Sequence, residues 1–393
     1  MTIREEIYGF YIPSVTLIGV GAATKIAIEL KQRNAKKPLL VTDKGIVGAG
    51  IAKQITDILD EAKMDYVMYD GTVPNPTDKN VVEGVEMYKK EGCDSLITLG
   101  GGSSHDCGKG VGLVISNGGK IQDYEGLDKS TQPMPPYIAV NTTAGTASEM
   151  TRFVVITDTA RKVKMAIADW RVTPSVALDD PLLMVGMPPA LTAATGMDAL
   201  THSVEAFVST IATPQTDCAA EKSISLIAKY LRKAVANGSN LLAREQMCYA
   251  QYLGGMAFNN ASLGHVHAMA HQLGGFYDLP HGECNAILLP YVSEFNLMAK
   301  LERYCKVAEL LGEDVSNCTM REGAMLAIKA IRQLSQDVGI PAGIEALGKR
   351  YGKKVDRKDI PIMVGNAQKD VCAATNPRKV RDEDVAALYG AAW

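Results

Sequence analysis

The feature that most constrains this chain is a change of rhythm near residue 185. Before it, short apolar runs alternate with helical stretches. Val15–Ile18, Pro38–Thr42, Asp65–Tyr69, Ser95–Leu99 and Pro136–Val140 are mostly apolar runs bounded by turn residues. Between them, Ala22–Lys31, Ile51–Lys63 and Asn80–Glu91 carry apolar residues at helical spacing. Strands that are apolar on both faces and separated by helices predict a parallel sheet covered on both sides. Phe153–Thr157 and residues 162–168 flank Asp158-Thr-Ala-Arg161 and predict a hairpin.

After Pro181 the strand signals almost vanish. Pro188-Pro189 opens a helical stretch over 190–210. Further stretches follow at 217–235, 241–258, 261–275, 284–299, 301–311, 320–336, 359–372 and 382–391. The predicted architecture is α/β plus all-α, with one domain over 1–185 and a helical one over 186–393. A chain of 393 residues suits two domains at roughly 100–200 residues each.

Only six histidines occur, and four of them fall within the 17 residues from His265 to His281. Asp198 and His202 stand at i, i+4 in Gly196-Met-Asp-Ala-Leu-Thr-His202, which places both on one helix face about 6 Å apart. His267 and His271 repeat the spacing, and His281 sits in the loop signal Pro280-His-Gly282. On a helix His265 and His267 point about 200° apart, so they cannot both face one site. Three imidazoles and a carboxylate suit Fe(II), Zn(II), Mn(II), Co(II) or Ni(II) better than Ca(II) or Mg(II). Five histidines and Asp198 compete for about four positions, since such sites are commonly four-coordinate.

The first half carries a second constellation. Strand Ser95–Leu99 runs into Gly100-Gly-Gly-Ser103 and then a helix. Glycines let backbone approach a pyrophosphate, and the helix start supplies free amides and positive potential. The spacing matches neither GxGxxG nor GxxxxGK[ST]. Asp43 ends its strand, where a carboxylate can bind an adenosine ribose and repel a 2′-phosphate, favouring NAD over NADP. Asn141-Thr-Thr-Ala-Gly-Thr146 follows a third strand. Loops at strand C-termini form the ligand edge of an open α/β sheet, so residues 1–185 read as a Rossmann-like dinucleotide-binding domain.

Charge points to no macromolecular partner. Lys and Arg total 41 against 44 Asp and Glu, for a net charge of -3, which gives no reason to expect nucleic acid or an anionic membrane. The eight cysteines include no CxxC pair and read as reduced thiols of a cytoplasmic protein. The acidic start Met-Thr-Ile-Arg-Glu-Glu does not read as a signal peptide, and no apolar run approaches the roughly 18–20 residues that span a bilayer.

At these motifs the chain resembles the group III iron-dependent alcohol dehydrogenases. The branch it looks most like holds bacterial methanol, ethanol and 1,3-propanediol dehydrogenases, with lactaldehyde reductase near it. The resemblance runs from Phe10-Tyr-Ile-Pro-Ser to Trp393 and is strongest at Gly100–Asp106, Thr142–Thr146, Gly196–His202 and Gly264–Gly282. It implies metal ligands at Asp198, His202, His267 and His281, with Fe(II) favoured and Zn(II) possible. It implies a histidine near the nicotinamide at His271, and a catalytic role for His271, Asp198 and His267. For NAD it implies Asp43 at the adenosine ribose, Gly101, Gly102 and Ser103 at the pyrophosphate, and Asn75, Thr142, Thr143, Thr151 and Lys164 at other contacts. Phe153 and Phe258 match positions bordering the substrate, and their bulk suggests small primary alcohols or diols and their aldehydes. A dehydroquinate synthase-like fold and a homo-oligomer, dimer or decamer, are implied as well. His265 receives no role.

The implied reaction is hydride transfer between alcohol and NAD, with the metal polarising the substrate oxygen and His271 relaying the proton. The alternative is an NAD- and metal-dependent lyase or cyclase of the same fold. Few Lys or Arg lie near the ligand motifs to hold the acidic substrate it would need. A non-enzymatic metal-storage or redox-sensing role would not require the three strand-end loops.

Overall fold

The computed structural model describes residues 7–161 and 163–393. The acidic N-terminal hexapeptide and Lys162, expected to open a strand, lie outside the described residues. The strands are β1 (Val15–Ile18), β2 (Pro38–Asp43), β3 (Val67–Thr72), β4 (Ser95–Gly100), β5 (Gly126–Leu127), β6 (Tyr137–Asn141), β7 (Phe153–Asp158), β8 (Val163–Ala168) and β9 (Val176–Asp179). The helices of the first half are α1 (Ile26–Gln32), α2 (Lys44–Gly48), α3 (Ile51–Glu61), α4 (Asp78–Glu91) and α5 (Gly102–Asn117). Those that follow are α6 (Pro189–Val208), α7 (Pro214–Ala236), α8 (Leu241–Ala261), α9 (His265–Tyr277), α10 (His281–Asn296), α11 (Leu301–Leu311), α12 (Met320–Asp337), α13 (Ile344–Arg350), α14 (Ile360–Ala367) and α15 (Asp382–Ala392).

Six strands form one parallel sheet in the order β1-β9-β6-β4-β2-β3. Every residue of β4, β6 and β9 is buried, as expected for strands covered on both faces. One face packs Leu39, Val41, Leu96 and Ala139 against side chains of α4 and α5. The other packs Leu40, Ile97, Ile138 and Leu178 against α1 and α3. The antiparallel hairpin β7–β8, with β5 beside it, forms a separate three-stranded sheet. Its turn is closed by Asp158, whose carboxylate accepts from the backbone of Ala160 and Arg161 at 2.9 Å each.

The helical half is one continuous core, and it reaches back to Ala144, Ala147, Met150 and Ala177 of the α/β half. No helix is long and apolar enough to cross a membrane among the described residues.

The fold class stands as the apolar rhythm predicts, with local corrections; β5, α2 and α13 are too short to have been read, and the helix expected from 261 begins at His265. The third strand runs Val67–Thr72, two residues later than expected. Strand β9 is unforeseen: four residues between Ser175 and Asp180 are too short to show a period. The expected helix over 359–372 breaks into α14 and a 3-10 turn, Val371–Thr375, and the break carries Asp370. His281 is not in a loop; it is the first residue of α10, with Pro280 as its N-cap.

Candidate metal centre and dinucleotide cleft

Helix α6 carries Asp198, His202 and Glu205 at i, i+4 and i+7, one stripe of its surface. Helix α9 carries His267 and His271 one turn apart, and α10 carries His281 and Asn285 in the same way. Helices α10 and α6 approach at close range because Gly282 has no side chain. A Cβ there would run into the Ala194 carbonyl of α6.

This crossing brings four of the expected donors together. Asp198 Oδ1 lies 3.9 Å from His202 Nε2, 3.8 Å from His267 Nε2 and 3.7 Å from His281 Nε2. All four ligand atoms fall within 4.8 Å of one another. Burial pulls His202 below the usual histidine range, and His267 and His281 well below it. All three are therefore neutral near pH 7 and keep a lone pair to offer.

The donor set is short of hydrogens. Asn285 Nδ2 lies 2.7 Å from Asp198 Oδ1, 3.0 Å from His267 Nε2 and 3.1 Å from His281 Nε2. It has two hydrogens for these three acceptors, and its own Oδ1 is buried without a partner. Converging lone pairs with too few donors, in a nitrogen/oxygen set without thiolate, fit a divalent transition metal.

His271 stands beside this set, not within it. Its ring stacks on His281 at 5.4 Å and meets His267 edge-on at 6.1 Å. Its Nδ1 lies 2.8 Å from Asp370 Oδ2. Burial opposes the Asp370 charge, but the neighbouring His271 and its hydrogen bond hold that carboxyl down at about 2. His265 turns away and lies 3.4 Å from Gln368 Oε1, as the helical angle requires. Phe258 stacks on His202 at 4.2 Å, with Phe153 6.1 Å beyond it. The two aromatics thus form an apolar wall against the ligand set.

The three expected loops lie on neighbouring strands, at the carboxyl ends of β2, β4 and β6. Asp43 is the N-cap of α2, accepting from Ile46 N at 3.0 Å and from the Ser104 hydroxyl at 3.3 Å. Gly101 is the N-cap of α5, and Gly102 and Ser103 begin its first turn. A Cβ on Gly101 would sit 3.0 Å from Thr143 Cγ2, and one on Gly102 3.1 Å from Thr146 Cγ2. The glycines thus let the second loop lie against the third. Thr142 N donates to Gly100 O at 3.0 Å, fixing Thr142 and Thr143 beside them. Gly145 of the same loop presses on Thr195, three residues before Asp198, so the strand-end loops adjoin the donor set.

Behind the loops, the buried Lys109 donates to Ser148 at 3.1 Å, Thr151 at 3.3 Å and Phe153 O at 2.9 Å. Burial lowers its ammonium to about 8, against the pull of Asp106 and Glu149. The same Ser148 hydroxyl donates to Asp106 at 2.8 Å. Lys164 Nζ donates to Asn75 Oδ1 at 2.8 Å, and Asn75 Nδ2 donates to Asp278 Oδ1 at 3.0 Å. That chain spans the cleft between β8 and the end of α9.

Sequence reasoning missed Glu205, Asn285, Asp370 and Lys109. Glu205 Oε2 lies 2.6 Å from His267 Nδ1. Burial pushes its carboxyl up to about 7, while the backbone amides of Val266 and His267 pull the other way. The stripe Asp198–His202–Glu205 could have found it, and the step from His281 could have found Asn285. Nothing local marks Asp370.

The family described as iron-containing alcohol dehydrogenase matches residues 13–181, and the C-terminal part of the Fe-containing alcohol dehydrogenase family matches residues 192–393. The chain is 50% identical over 390 residues to 1,3-propanediol dehydrogenase of Citrobacter freundii, covering 99% of each. It is 47% identical over 379 residues to NAD-dependent methanol dehydrogenase of Bacillus methanolicus, covering 96% of this chain and 98% of that one. A solved 1,3-propanediol oxidoreductase superposes with a TM-score of 0.96 at 49% identity, covering 99% of this chain and 100% of that one. With both halves of the chain matched and the fold shared, this protein belongs to the iron-containing alcohol dehydrogenase family.

Proposed function

We propose that the chain is an NAD-dependent alcohol dehydrogenase that interconverts small primary alcohols or diols and their aldehydes. The observation that carries this reading is the convergence of Asp198, His202, His267 and His281 beside three strand-end loops. In this reading those four residues hold a divalent metal, iron in preference to zinc, and residues 186–393 form the metal half. Residues 1–185 bind the dinucleotide. A bound ion would supply Lewis acidity to the substrate oxygen, and NAD would take the hydride.

The chain's own groups do the remaining work. Asp43 accepts from the ribose hydroxyls and repels a 2′-phosphate. Free amides at Gly101, Gly102 and Ser103 face the pyrophosphate. Thr142, Thr143, Thr151, Asn75 and Lys164 line the path to the nicotinamide. Phe153 and Phe258 exclude water and limit substrate size. His271, oriented by Asp370, accepts or returns the alcohol proton at Nε2.

The test is NADH formation with ethanol and with 1,3-propanediol after anaerobic purification, before and after chelation. Turnover that vanishes with the metal and returns with Fe(II) or Zn(II) supports the reading. His267→Ala should lose both metal and turnover, whereas His271→Ala should keep metal and turn over more slowly. Bound metal and NAD without NADH from any short alcohol would sink it in favour of the lyase alternative.

A further inference from the structure

Glu205 has no place in the reading above, yet it is buried, and its position is tightly determined. Its Oε1 accepts from Val266 N at 2.7 Å, and its Oε2 accepts from His267 N at 3.4 Å. Both amides lie in the first turn of α9, where the helix end is positive and favours an anion. Space for the carboxylate exists because Gly264 has no side chain; a Cβ there would sit 2.8 Å from Oε1. Oε2 also meets His267 Nδ1 at 2.6 Å.

A neutral imidazole has one N–H and one lone pair. An ionised Glu205, the form favoured by the two backbone amides that donate to it, can only accept, so Nδ1 carries the hydrogen. The lone pair is then left on Nε2, the nitrogen that lies 3.8 Å from Asp198 Oδ1. We infer that Glu205 is a positioning residue that fixes the tautomer and ring orientation of His267, and so sets the affinity of the metal site. The inference rests on His267 being a ligand. One stripe of α6 thereby supplies two donors and the group that orders a third donor on another helix. Carboxylate partners of ligating histidines act in this way elsewhere.

Glu205→Gln preserves shape and changes the chemistry. One amide oxygen cannot serve Val266 N, His267 N and His267 Nδ1 together. With that oxygen on Val266 N, the amide NH2 faces Nδ1 and drives the proton to Nε2. Affinity for Zn(II) and Co(II), measured on the full chain by competition with a chromophoric chelator, should fall about 10–100-fold in Glu205→Gln. In the chelated wild-type protein labelled with ¹⁵N-histidine, His267 should show a protonated Nδ1 and an unprotonated Nε2. This second measurement needs no variant to fold.

Wild-type affinity in a folded Glu205→Gln, or a protonated Nε2 on His267 in the wild type, overturns the inference. The outcomes are separable from failure of the ligand assignment. If His267→Ala retains the ion, His267 is no ligand and both readings fall. If His267→Ala loses it while Glu205→Gln keeps it, only the role of Glu205 falls.

Discussion

At the scale of single residues, several side chains in this site hold two posts at once. Asp43 is the clearest case, because its carboxylate caps α2 and, in the proposed reading, also meets the adenosine ribose. Asp43→Gly should therefore do two things. Preference for NAD over NADP should narrow by about tenfold, since the charge that repels a 2′-phosphate is gone. Stability should also fall, by only a few tenths of a kcal/mol, because glycine is itself tolerated at an N-cap. Steady-state kinetics with both cofactors and denaturant unfolding check the two halves, and an unchanged cofactor ratio removes Asp43 from the ribose site. The converging donors Asp198, His202, His267 and His281 were legible because histidine is scarce and i, i+4 spacing fixes a face. Their carboxylate partners were not equally legible. Glu205 shares the stripe of two ligands and could have been read, whereas Asp370 reaches His271 across 99 residues of chain. No periodicity encodes a contact of that range.

At the scale of elements, the centre is a crossing of α6, α9 and α10. Its tightness depends on Gly282, whose missing Cβ lets the start of α10 rest on the α6 backbone. Backbone cannot move aside cheaply. Gly282→Ala should force the helices apart, lower stability by about 1–3 kcal/mol, and draw His281 away from Asp198. Metal affinity should drop with it, measurable by chelator competition. Full affinity and unchanged stability would show that the crossing is looser than drawn. Long or strongly patterned elements were legible in sequence: the amphipathic α7 and α12, the long, largely buried α6 and α8, and the buried runs of β2, β4 and β6. What was missed was short or set by tertiary contact. β9 has four residues, and the break after α14 exists because Asp370 caps the next turn, accepting from Cys372 N at 2.9 Å. Local propensity favours continuing that helix; the contact with His271 and the cap oppose it.

At the scale of the whole molecule, the two halves share contacts at every level. The helical core reaches into the strand-end loops, and the Lys164–Asn75–Asp278 chain ties β8 to α9. An ion on three separate helices would add a further cross-link that the unfolded chain lacks. At free ion about 1,000-fold above its dissociation constant, that link stabilises by about 4 kcal/mol. Chelation should accordingly lower the calorimetric melting temperature, and restoring Fe(II) or Zn(II) should bring it back. A melting temperature indifferent to chelation would mean that the folded chain holds no ion at these helices. The sheet order has a different consequence, one that concerns synthesis. Among the described residues β1 is the first strand to leave the ribosome, yet its one neighbour in the sheet is β9, the last strand there. Until residue 179 has emerged, β1 has no strand to pair with and β6 has an open flank. The nascent first half must wait with two unsatisfied edges, so a translational pause or a premature stop before β9 would leave a species prone to pair with its neighbours on the polysome.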